Sequence, residues 1–515
     1  MAPWIAMGVK KRDIVEGGRP VVLRAGALFH ELEDHLFADG GDQERGIFIR
    51  CGWRETDDVL VLSLVDIVRP DDGDVSGETD QVAFHAPYLV RVATEAEADA
   101  LAIGVVHSHP SGADPLPSAL DHELDRYLSQ YFRNFANDRP FVSLIMSSGE
   151  NGRTELFGRA FWKGRWRPIA RTLIAGEPAL STWHRRQPPT YAAIPPDRVA
   201  RLTSAFGREA WQRLRDAHVA VIGAGGSGSA AIPLLARAGV GRITIVDSDF
   251  VSESNLERVH ASWPEHAAQK MPKARLAMEH VERIDPDVKV TGLIGRLPQP
   301  EVVDHIVDAD FVMGCTDRHS SRLAISDLST RYLIPAIDTG GLIEGENGKV
   351  TGQIAQFARL FPDDACVRCR RMINLNNVQA ELNAGDDWAR SEGEEQTTNP
   401  IDGEMAPPLP EETQIDTVGY MTTAMGALSA GYVIGWLTGR FEAPFERLQI
   451  NLLADHWDVT DQHQERQEDC VCGLLQGHAD QGGEIAYPVP SHWPPVRVLR
   501  SEKPRFDMTF TSAAE

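Results

Sequence analysis

The sequence predicts an α/β protein of two domains: an N-terminal α/β domain, then a C-terminal domain with a Rossmann-like parallel sheet and a four-cysteine element. Three observations predict this organisation. In the second half, strands alternate with helices, a glycine-rich turn joins the first strand to its helix, and a proline-rich stretch separates this half from an earlier group of apolar runs. Such alternation is typical of a parallel sheet covered by helices.

The composition is that of a globular protein with a strongly acidic balance. The 515 residues include 51 Lys and Arg against 75 Asp and Glu, which gives a formal charge of −24. This length predicts two or three domains, and 42% hydrophobic residues exclude global disorder. Nucleic acids and anionic membranes bind basic surfaces, so we expect neither as a partner.

We expect a cytoplasmic protein. Residues 1–24 mix charges and lack the long apolar run of a signal peptide. The uncharged segment Gly419–Leu437 approaches the length of a membrane span, but it is rich in small residues and no second such segment exists. This segment is therefore predicted to be a buried helix.

The clearest boundary is Gln187–Pro196, whose sequence QPPTYAAIPP predicts an extended linker. It divides the chain into an N-terminal domain (1–175), a linker (176–196), a C-terminal domain (197–475) and a tail (476–515). We expect this tail to cover either the protein itself or a partner. The main predicted elements are helix Ala119–Phe135, strand His218–Gly223, helix Ser229–Ala238, strand Arg242–Val246, helix Lys273–Ile284 and strand Phe311–Gly314.

A metal-binding pattern lies in the N-terminal domain. Residues 104–121 read GVVHSHPSGADPLPSALD, so an apolar strand leads into His107 and His109. Side chains alternate along a strand, and the two imidazoles therefore point to the same side. Asp121 opens the next helix and can add a carboxylate. Two His and one Asp leave a fourth position for water, which is the open geometry of a catalytic zinc site.

These residues resemble the JAB/JAMM (MPN+) metallopeptidases, which share a distant Glu, a His-x-His-Pro segment and a Ser-x-x-Asp segment. The resemblance implies that His107, His109 and Asp121 bind zinc and that Ser118 donates a hydrogen bond near the oxyanion. The interval between Pro110 and Ser118 is one residue longer than the usual pattern. Family members cleave peptide or isopeptide bonds after the tails of ubiquitin-like proteins.

The general base of this chemistry is a carboxylate that does not bind the metal. Glu44 matches the upstream Glu of the family best, because it precedes a glycine and an apolar strand in the segment ERGIF. Glu31 and Glu33, on a predicted helix, are competing assignments.

A phosphate-binding pattern opens the C-terminal domain. The segment HVAVIGAGGSGS begins as a strand at His218 and ends in a helix. Glycines at a helix N-terminus let backbone amides approach a phosphate, and here they are Gly223, Gly225, Gly226 and Gly228. Asp247 ends the second strand and can bond a ribose hydroxyl. Taken alone, this pattern also fits NAD.

Further residues favour ATP over NAD. Carboxylates can hold Mg²⁺, and arginine and lysine can neutralise a triphosphate, whereas hydride transfer needs neither. The candidates are Asp249, Asn255, Arg258, Lys273 and Asp317.

This set closely resembles the ThiF-like superfamily of ubiquitin-activating enzymes, over residues 198 to about 472. The resemblance implies ATP and Mg²⁺ as cofactors, with Asp247 binding ribose and Asp317 supporting Mg²⁺ and the acyl-adenylate. It also implies that Asn255, Arg258 and Lys273 contact the phosphates.

The resemblance further implies a homodimer. Relatives carry an Arg-x-x-Arg before the fold, and its second arginine reaches the ATP of the other subunit. Here the segment is RVAR, and Arg201 is the candidate.

Four of the six cysteines form two close pairs, Cys366 with Cys369 and Cys470 with Cys472. Such pairs in a chain without an export signal predict metal binding. Superfamily members carry a structural four-cysteine zinc at these positions. Their second pair usually has two intervening residues, and here it has one.

Many relatives also carry a catalytic cysteine after the first zinc pair, but residues 370–469 contain none. We expect Cys51 and Cys315 to be structural. Thr413 lies near the missing cysteine, but a hydroxyl is a much weaker nucleophile than a thiolate. The expected chemistry is therefore adenylation without an internal thioester.

Together these patterns predict a fusion of two enzymes. The N-terminal zinc peptidase would process or remove a ubiquitin-like protein, and the C-terminal domain would adenylate its terminal glycine. A conjugating-enzyme-like protein is a possible acceptor. One alternative is activation of a sulfur carrier for cofactor or amino-acid synthesis. Another is a non-catalytic scaffold that binds a ubiquitin-like protein.

Overall fold

The computed structural model describes residues 20–41, 43–78, 81–149, 154–175, 195–346, 349–383, 413–415, 417–440, 445–453, 458–483, 485 and 488–501. All of the predicted linker except residues 195 and 196 therefore lies outside the described residues.

Strands and helices follow one another along these residues. The strands are β1 Val21–Ala25, β2 Gly46–Glu55, β3 Leu60–Val68, β4 Val75–Glu78, β5 Gln81–Phe84, β6 Ala102–Ser108, β7 Phe141–Ser148, β8 Thr154–Trp162, β9 Arg165–Ile174, β10 His218–Ile222, β11 Arg242–Val246, β12 Lys289–Ile294, β13 Phe311–Gly314, β14 Ala336–Glu346, β15 Lys349–Leu360, β16 Thr413–Ile415, β17 Arg447–Asn451, β18 Asp458–Asp461 and β19 Arg497–Leu499. The helices are α1 Leu28–Leu36, α2 Ala86–Ala98, α3 Ala119–Arg133, α4 Ala200–Phe206, α5 Arg208–Asp216, α6 Gly226–Ala238, α7 Pro264–Ala268, α8 Lys273–Ile284, α9 Pro300–Ile306, α10 His319–Tyr332, α11 Leu375–Asn383, α12 Gly419–Thr438 and α13 Val471–Leu474.

The N-terminal half is a closed barrel with the strand order β1-β3-β2-β6-β7-β8-β9, in which β1 also pairs with β9. Alternate residues of each strand point inward, so that Leu23, Ile49 and Leu62 share the barrel interior. On the outer face, α2 and α3 cover the barrel through a second apolar cluster that includes Phe48 and Phe132. Side chains near the ends of these strands, such as His107 of β6, are thus held by packing on both faces.

The C-terminal half is a ten-stranded sheet with the order β18-β17-β15-β14-β13-β10-β11-β12-β19, and β16 pairs with β14. The strands from β14 to β12 run parallel, and the outer strands run antiparallel. Because β10 lies between β11 and β13, the direction of sheet growth reverses beside it, which is where such sheets bind ligands. The predicted α/β architecture of this half is confirmed. The bounds of β11, β13 and α8 are those predicted, and α6 begins three residues early, at Gly226.

The uncharged segment predicted to be a buried helix is α12, which packs against α6. A Cβ on Gly426 would lie 2.3 Å from the carbonyl oxygen of Ser227, so the two helices approach at glycine. Within the described part of the chain, no helix has both the length and the apolar character needed to cross a membrane.

The barrel and the C-terminal sheet share one apolar cluster. Val22 and Val61 on the outer face of the barrel join the cluster that contains Val303 of α9 and Tyr332 of α10. The side chain of Arg24 is fully buried here and donates hydrogen bonds across the contact. The two halves are therefore packed against each other rather than only tethered.

The described part of the tail covers the protein itself. Trp53 of the barrel forms a bridge with Ala479, and its amide donates to Gln481 Oε1 at 2.7 Å. Further along, β19 adds an antiparallel strand to β12 at the edge of the sheet. The described residues between 476 and 499 thus contact both halves.

Candidate functional sites

The histidine–aspartate cluster lies at one end of the barrel. His107 is on β6, His109 follows that strand directly, and Asp121 is in the first turn of α3. Ser118 caps α3: its Oγ accepts from the Asp121 amide at 3.2 Å, and its amide donates to Asp121 Oδ2 at 2.6 Å. This reciprocal cap fixes the Asp121 carboxylate toward the two imidazoles.

The geometry of this cluster fits a metal ion. One ligand atom from each of the three residues lies within 4.8 Å of the others. His107 Nε2 is 3.0 Å from Asp121 Oδ1, and His109 Nε2 is 3.4 Å from Asp121 Oδ2. Within the described residues, both ring nitrogens of His107 are buried and lack a hydrogen bond of acceptable geometry. A buried imidazole whose ring nitrogens lack hydrogen bonds is suited to bind a metal ion.

Neighbouring groups orient the other ligands. His109 Nδ1 lies 3.0 Å from the carbonyl oxygen of Asp114, a contact that leaves Nε2 directed at the cluster when Nδ1 carries the proton. Burial raises the pKa of Asp121, but His107 and His109 outweigh that effect and hold the pKa well below its usual range. The carboxylate is therefore ionised, as a metal ligand must be.

Glu44 lies across the strand pair from this cluster. Gly46 of β2 pairs with His107 of β6, and the Ser108 amide donates to the Arg45 carbonyl at 2.9 Å, so continuing the register places Glu44 opposite His109. Burial lowers the pKa of His109, and Asp121 and Glu44 are among the groups that raise it above its usual value.

The two competing glutamates have other partners. Glu31 forms an ion pair with Arg69, and Glu33 contacts His30 at 3.0 Å. The register of β2 on β6 thus places Glu44, rather than a residue of α1, opposite His109. The catalytic role of Glu44 stays a prediction.

The four paired cysteines meet at a second cluster. The Sγ–Sγ distances are 3.7 Å for Cys366–Cys369, 3.5 Å for Cys366–Cys470 and 3.8 Å for Cys369–Cys472. Tetrahedral zinc with bonds of about 2.3 Å requires sulfur–sulfur separations of about 3.8 Å. The arrangement fits a closed structural zinc site, and the single residue between Cys470 and Cys472 is accommodated because Cys470 lies at the N-cap of α13.

A polar cavity of about 350 Å³ lies at the carboxyl ends of β10, β11 and β13. Nearly all residues predicted to bind ATP line it: Gly223, Gly225, Gly226, Asp247, Asp249, Asn255, Arg258, Lys273 and Asp317. Gly228 is the exception. A Cβ there would lie 1.9 Å from the Gly223 carbonyl oxygen, so Gly228 serves the close approach of α6 to the turn rather than contact with a ligand.

Charges are paired inside this cavity. Asp247 accepts from the Ala224 amide at 2.6 Å and from the Asp249 amide at 2.7 Å. Burial and the neighbouring Asp249 carboxylate raise the pKa of Asp247 to about 6. Lys273 Nζ donates to Asp249 Oδ2 at 3.0 Å. Burial lowers the pKa of Lys273, but Asp247 and Asp249 outweigh it and raise the pKa above its usual value.

Sequence reasoning missed three arginines that also line the cavity, namely Arg296, Arg318 and Arg322. Arg322 is held by its Nε, which donates to the Thr316 carbonyl at 3.2 Å and lies 3.4 Å from the buried Asp338. The sequence could have indicated two of these arginines, because Arg296 lies shortly after β12 and Arg318 shortly after β13. Residues that follow parallel strands converge at one edge of the sheet.

Arg201 does not line the cavity of its own chain. It lies near the start of α4 and is exposed. Its predicted role in a partner subunit is not tested by a single chain and stays a prediction.

The fold and the cavity define an α/β nucleotide-binding protein whose phosphate-binding turn is accompanied by a cluster of cations and carboxylates. Residues 198–472, more than half of the chain, match the ThiF family. The chain belongs to the ThiF family.

Three relatives share this region. The sulfur carrier protein ThiS adenylyltransferase of Bacillus subtilis is 34% identical over 26% of this chain and 40% of its own length. The molybdopterin-synthase adenylyltransferase of Salmonella typhimurium is 32% identical over 35% of this chain and 69% of its own. The SAMP-activating enzyme E1 of Haloferax volcanii is 33% identical over 34% of this chain and 61% of its own. The chain thus spans less than half of the Bacillus protein.

Proposed function

We propose that the C-terminal domain adenylates the C-terminal glycine of a ubiquitin-like protein with ATP and Mg²⁺. The observation that carries this proposal is a single cavity that gathers the glycine-rich turn, the acidic residue after β11 and several cations. Two relatives that are named as adenylyltransferases support the same chemistry.

In this reaction the glycine carboxylate attacks the α-phosphorus, and the bond to the bridging oxygen breaks to release pyrophosphate. Asp247 would bind the ribose, and Asn255, Arg258 and Lys273 would bind the phosphates. Asp249 and Asp317 would hold Mg²⁺, which supplies neutralising charge for the triphosphate when bound. The resulting mixed anhydride can pass its acyl group to a nucleophile.

Exchange of labelled pyrophosphate into ATP tests this proposal, because it requires reversible adenylation. Wild-type protein with the right ubiquitin-like partner should support exchange, and Asp317→Ala and Arg258→Ala should abolish it. Arg237→Ala, an exposed substitution on α6, is the matched control and should leave it unchanged. Exchange that persists in both cavity variants would refute the assignment.

We propose that the barrel is a zinc-dependent peptidase or isopeptidase that matures or removes the same ubiquitin-like protein. His107, His109 and Asp121 would hold the zinc, which supplies a Lewis acid and a bound water of lowered pKa. Glu44 would take the proton of that water, and Ser118 would donate to the oxyanion. The metal-ready geometry of the three ligands supports this proposal.

Cleavage of ubiquitin-like precursors with extended tails tests the peptidase. The paired substitution His107→Ala/His109→Ala should abolish cleavage and leave pyrophosphate exchange intact, because the two sites use separate residues. Cleavage by that variant at the wild-type rate would refute the site.

A homodimer with Arg201 in the partner's ATP cavity is part of the proposal. Arg201→Ala and Asp317→Ala chains should each be inactive, and dimers that have exchanged subunits should recover pyrophosphate exchange. Exchanged dimers without activity would contradict the arrangement.

A second candidate is the activation of a sulfur carrier, which the name of the Bacillus subtilis relative favours. The adenylation step is the same, and the acceptor differs. Conversion of the adenylate to a thiocarboxylate by a sulfide donor would support this candidate, whereas transfer to a conjugating-enzyme-like protein would support protein modification. A protein that binds a ubiquitin-like partner but neither turns over ATP nor cleaves would instead be the scaffold predicted as an alternative.

A further inference from the structure

Segment 488–499 lies beside the nucleotide cavity, beyond the residues that match the ThiF family. Strand β19 pairs with β12 through Gly292↔Leu499, Leu293↔Val498 and Ile294↔Arg497. Directly after this pairing, the chain of β12 enters the cavity wall at Gly295 and Arg296. The tail segment 488–499 is therefore bonded to the strand that delivers these two residues.

Arg296 is stacked on this segment. Its guanidinium carbon lies 4.7 Å from the centre of the Trp493 ring, and Trp493 is only 8% exposed. Arginine stacks on indole through cation–π attraction and planar contact, most strongly where water is excluded. Arg296 also lines the nucleotide cavity.

A second set of contacts fixes the backbone at the same place. The Arg296 amide donates to Gln299 Oε1 at 2.9 Å, and Gln299 Nε2 donates to the Pro494 carbonyl at 2.7 Å. Gln299 is buried, so this bridge is shielded from water. A Cβ on Gly295 would lie 3.0 Å from a methyl group of Val496, which shows how closely the tail is seated.

We propose that Trp493 is a positioning residue that holds the Arg296 guanidinium in the nucleotide cavity, and that segment 488–499 is part of the nucleotide-binding unit. The proposal rests on the proposed function, because the ligand is the ATP of the adenylation step. Arginine has many rotamers, and ordering its side chain before the ligand arrives removes an entropic cost from binding. An arginine already stacked on a buried indole binds anionic nucleotide with less loss of freedom.

Calorimetric titration with α,β-methylene ATP and Mg²⁺ tests this without the protein substrate. Trp493→Ala and Arg296→Ala should each weaken binding by roughly tenfold, and Trp493→Phe should retain most of the affinity. The double variant should bind no more weakly than Arg296→Ala, because Trp493 acts through Arg296. Trp263→Ala, which alters an exposed tryptophan of the same domain, should bind as wild type does.

A second readout follows from linkage. If the tail supports the nucleotide, the nucleotide must stabilise the tail, so hydrogen exchange in residues 488–499 should slow on addition of the analogue in the wild type and not in Arg296→Ala. Either of two results would overturn the positioning role alone. One is a loss of nucleotide affinity that multiplies in the double variant, and the other is unchanged affinity in a folded Trp493→Ala. A wild-type protein that binds no nucleotide would overturn the proposed function as well.

Discussion

Glu44 and Asp247 show how a carboxylate takes its role from its neighbours. Glu44 lies opposite His109 across β2 and β6 and influences the charge of that imidazole. Asp247 accepts two backbone amides, which lower its pKa, but burial and the neighbouring Asp249 carboxylate outweigh them and raise it. In the proposed function, the first would take a proton and the second, when ionised, would bind hydroxyl groups.

Replacement of Glu44 separates metal binding from catalysis. Glu44→Gln should retain the barrel zinc and lose cleavage by at least about a hundredfold, since the amide cannot accept the proton of bound water. Zinc content and the rate of precursor cleavage measure the two effects. Glu33→Gln is the matched control. Normal cleavage by Glu44→Gln together with loss in Glu33→Gln would move the base to α1.

Nucleotide affinity should depend on pH through Asp247. Its pKa is raised to about 6, and in the proposed function the ionised form would bind ribose, so affinity should fall as the pH drops below 6 and reach its plateau above it. The expected slope is about tenfold per pH unit for one proton. Asp247→Asn should bind nucleotide more weakly than the wild type and should lack this slope. Because any titration of the nucleotide itself affects both proteins equally, the variant controls for it. Parallel profiles for the two proteins would contradict the assignment.

Among the elements, the cysteine cluster joins segments that are far apart in sequence. Cys366 and Cys369 follow β15, whereas Cys470 and Cys472 lie at the start of α13, beyond α12 and β17. A zinc ion at this cluster would fasten the last helix of the family domain to the sheet. An ion held by the barrel cluster would join β6 to α3 in the same manner, through three side chains.

We predict two zinc ions per chain. Cys470→Ser should lose one ion and lower the unfolding temperature, because a structural zinc contributes directly to folding. His107→Ala/His109→Ala should lose the other ion with a smaller effect on stability. Elemental analysis and thermal unfolding provide the measurements. A wild-type protein with one zinc that survives the histidine substitutions would disprove the barrel site.

On the scale of the whole molecule, a buried arginine joins the two halves. Arg24 is 0% exposed, and it donates to the carbonyl oxygens of Tyr332 at 3.2 Å and Ala309 at 2.6 Å. Burial lowers its pKa to about 10, against the opposing charge of Asp310. Even so, the guanidinium remains protonated near neutral pH and satisfies both carbonyls.

Removal of this arginine should destabilise the contact between the halves. Arg24→Met leaves two buried carbonyls without donors, which costs about 3 kcal/mol in the free energy of unfolding. Urea unfolding followed by fluorescence should shift to lower denaturant and separate into two transitions. Arg69→Met, at an exposed ion pair with Glu31, should change little. An unchanged single transition in Arg24→Met would show that other contacts hold the two halves together.

The placement of all six cysteines predicts that the chain forms no thioester with its protein substrate. Cys51 and Cys315 are buried, and burial raises the pKa of each thiol to about 12. The other four meet at the metal-binding cluster. Mixing enzyme, ATP and substrate should therefore give bound acyl-adenylate without a covalent adduct on a non-reducing gel. An adduct sensitive to reducing agent would contradict this, and one cleaved only by hydroxylamine would point to Thr413.

Local patterns in the sequence determined much of both sites. The HSHP and SALD segments predicted His107, His109 and Asp121, and the glycine-rich turn with its following strand predicted Asp247, because each pattern reports backbone geometry within a few residues. The two cysteine pairs likewise predicted a metal cluster. Element bounds such as those of β11 and α8 followed from apolar periodicity.

What only the tertiary structure decided depends on contacts between residues distant in sequence. Register between β2 and β6 placed Glu44 opposite His109, and the pairing of β19 with β12 placed Trp493 against Arg296. The buried Arg24 reaches carbonyls some 300 positions away. No local periodicity encodes such pairings, because they arise when separate apolar faces are buried together and their polar groups must then find partners.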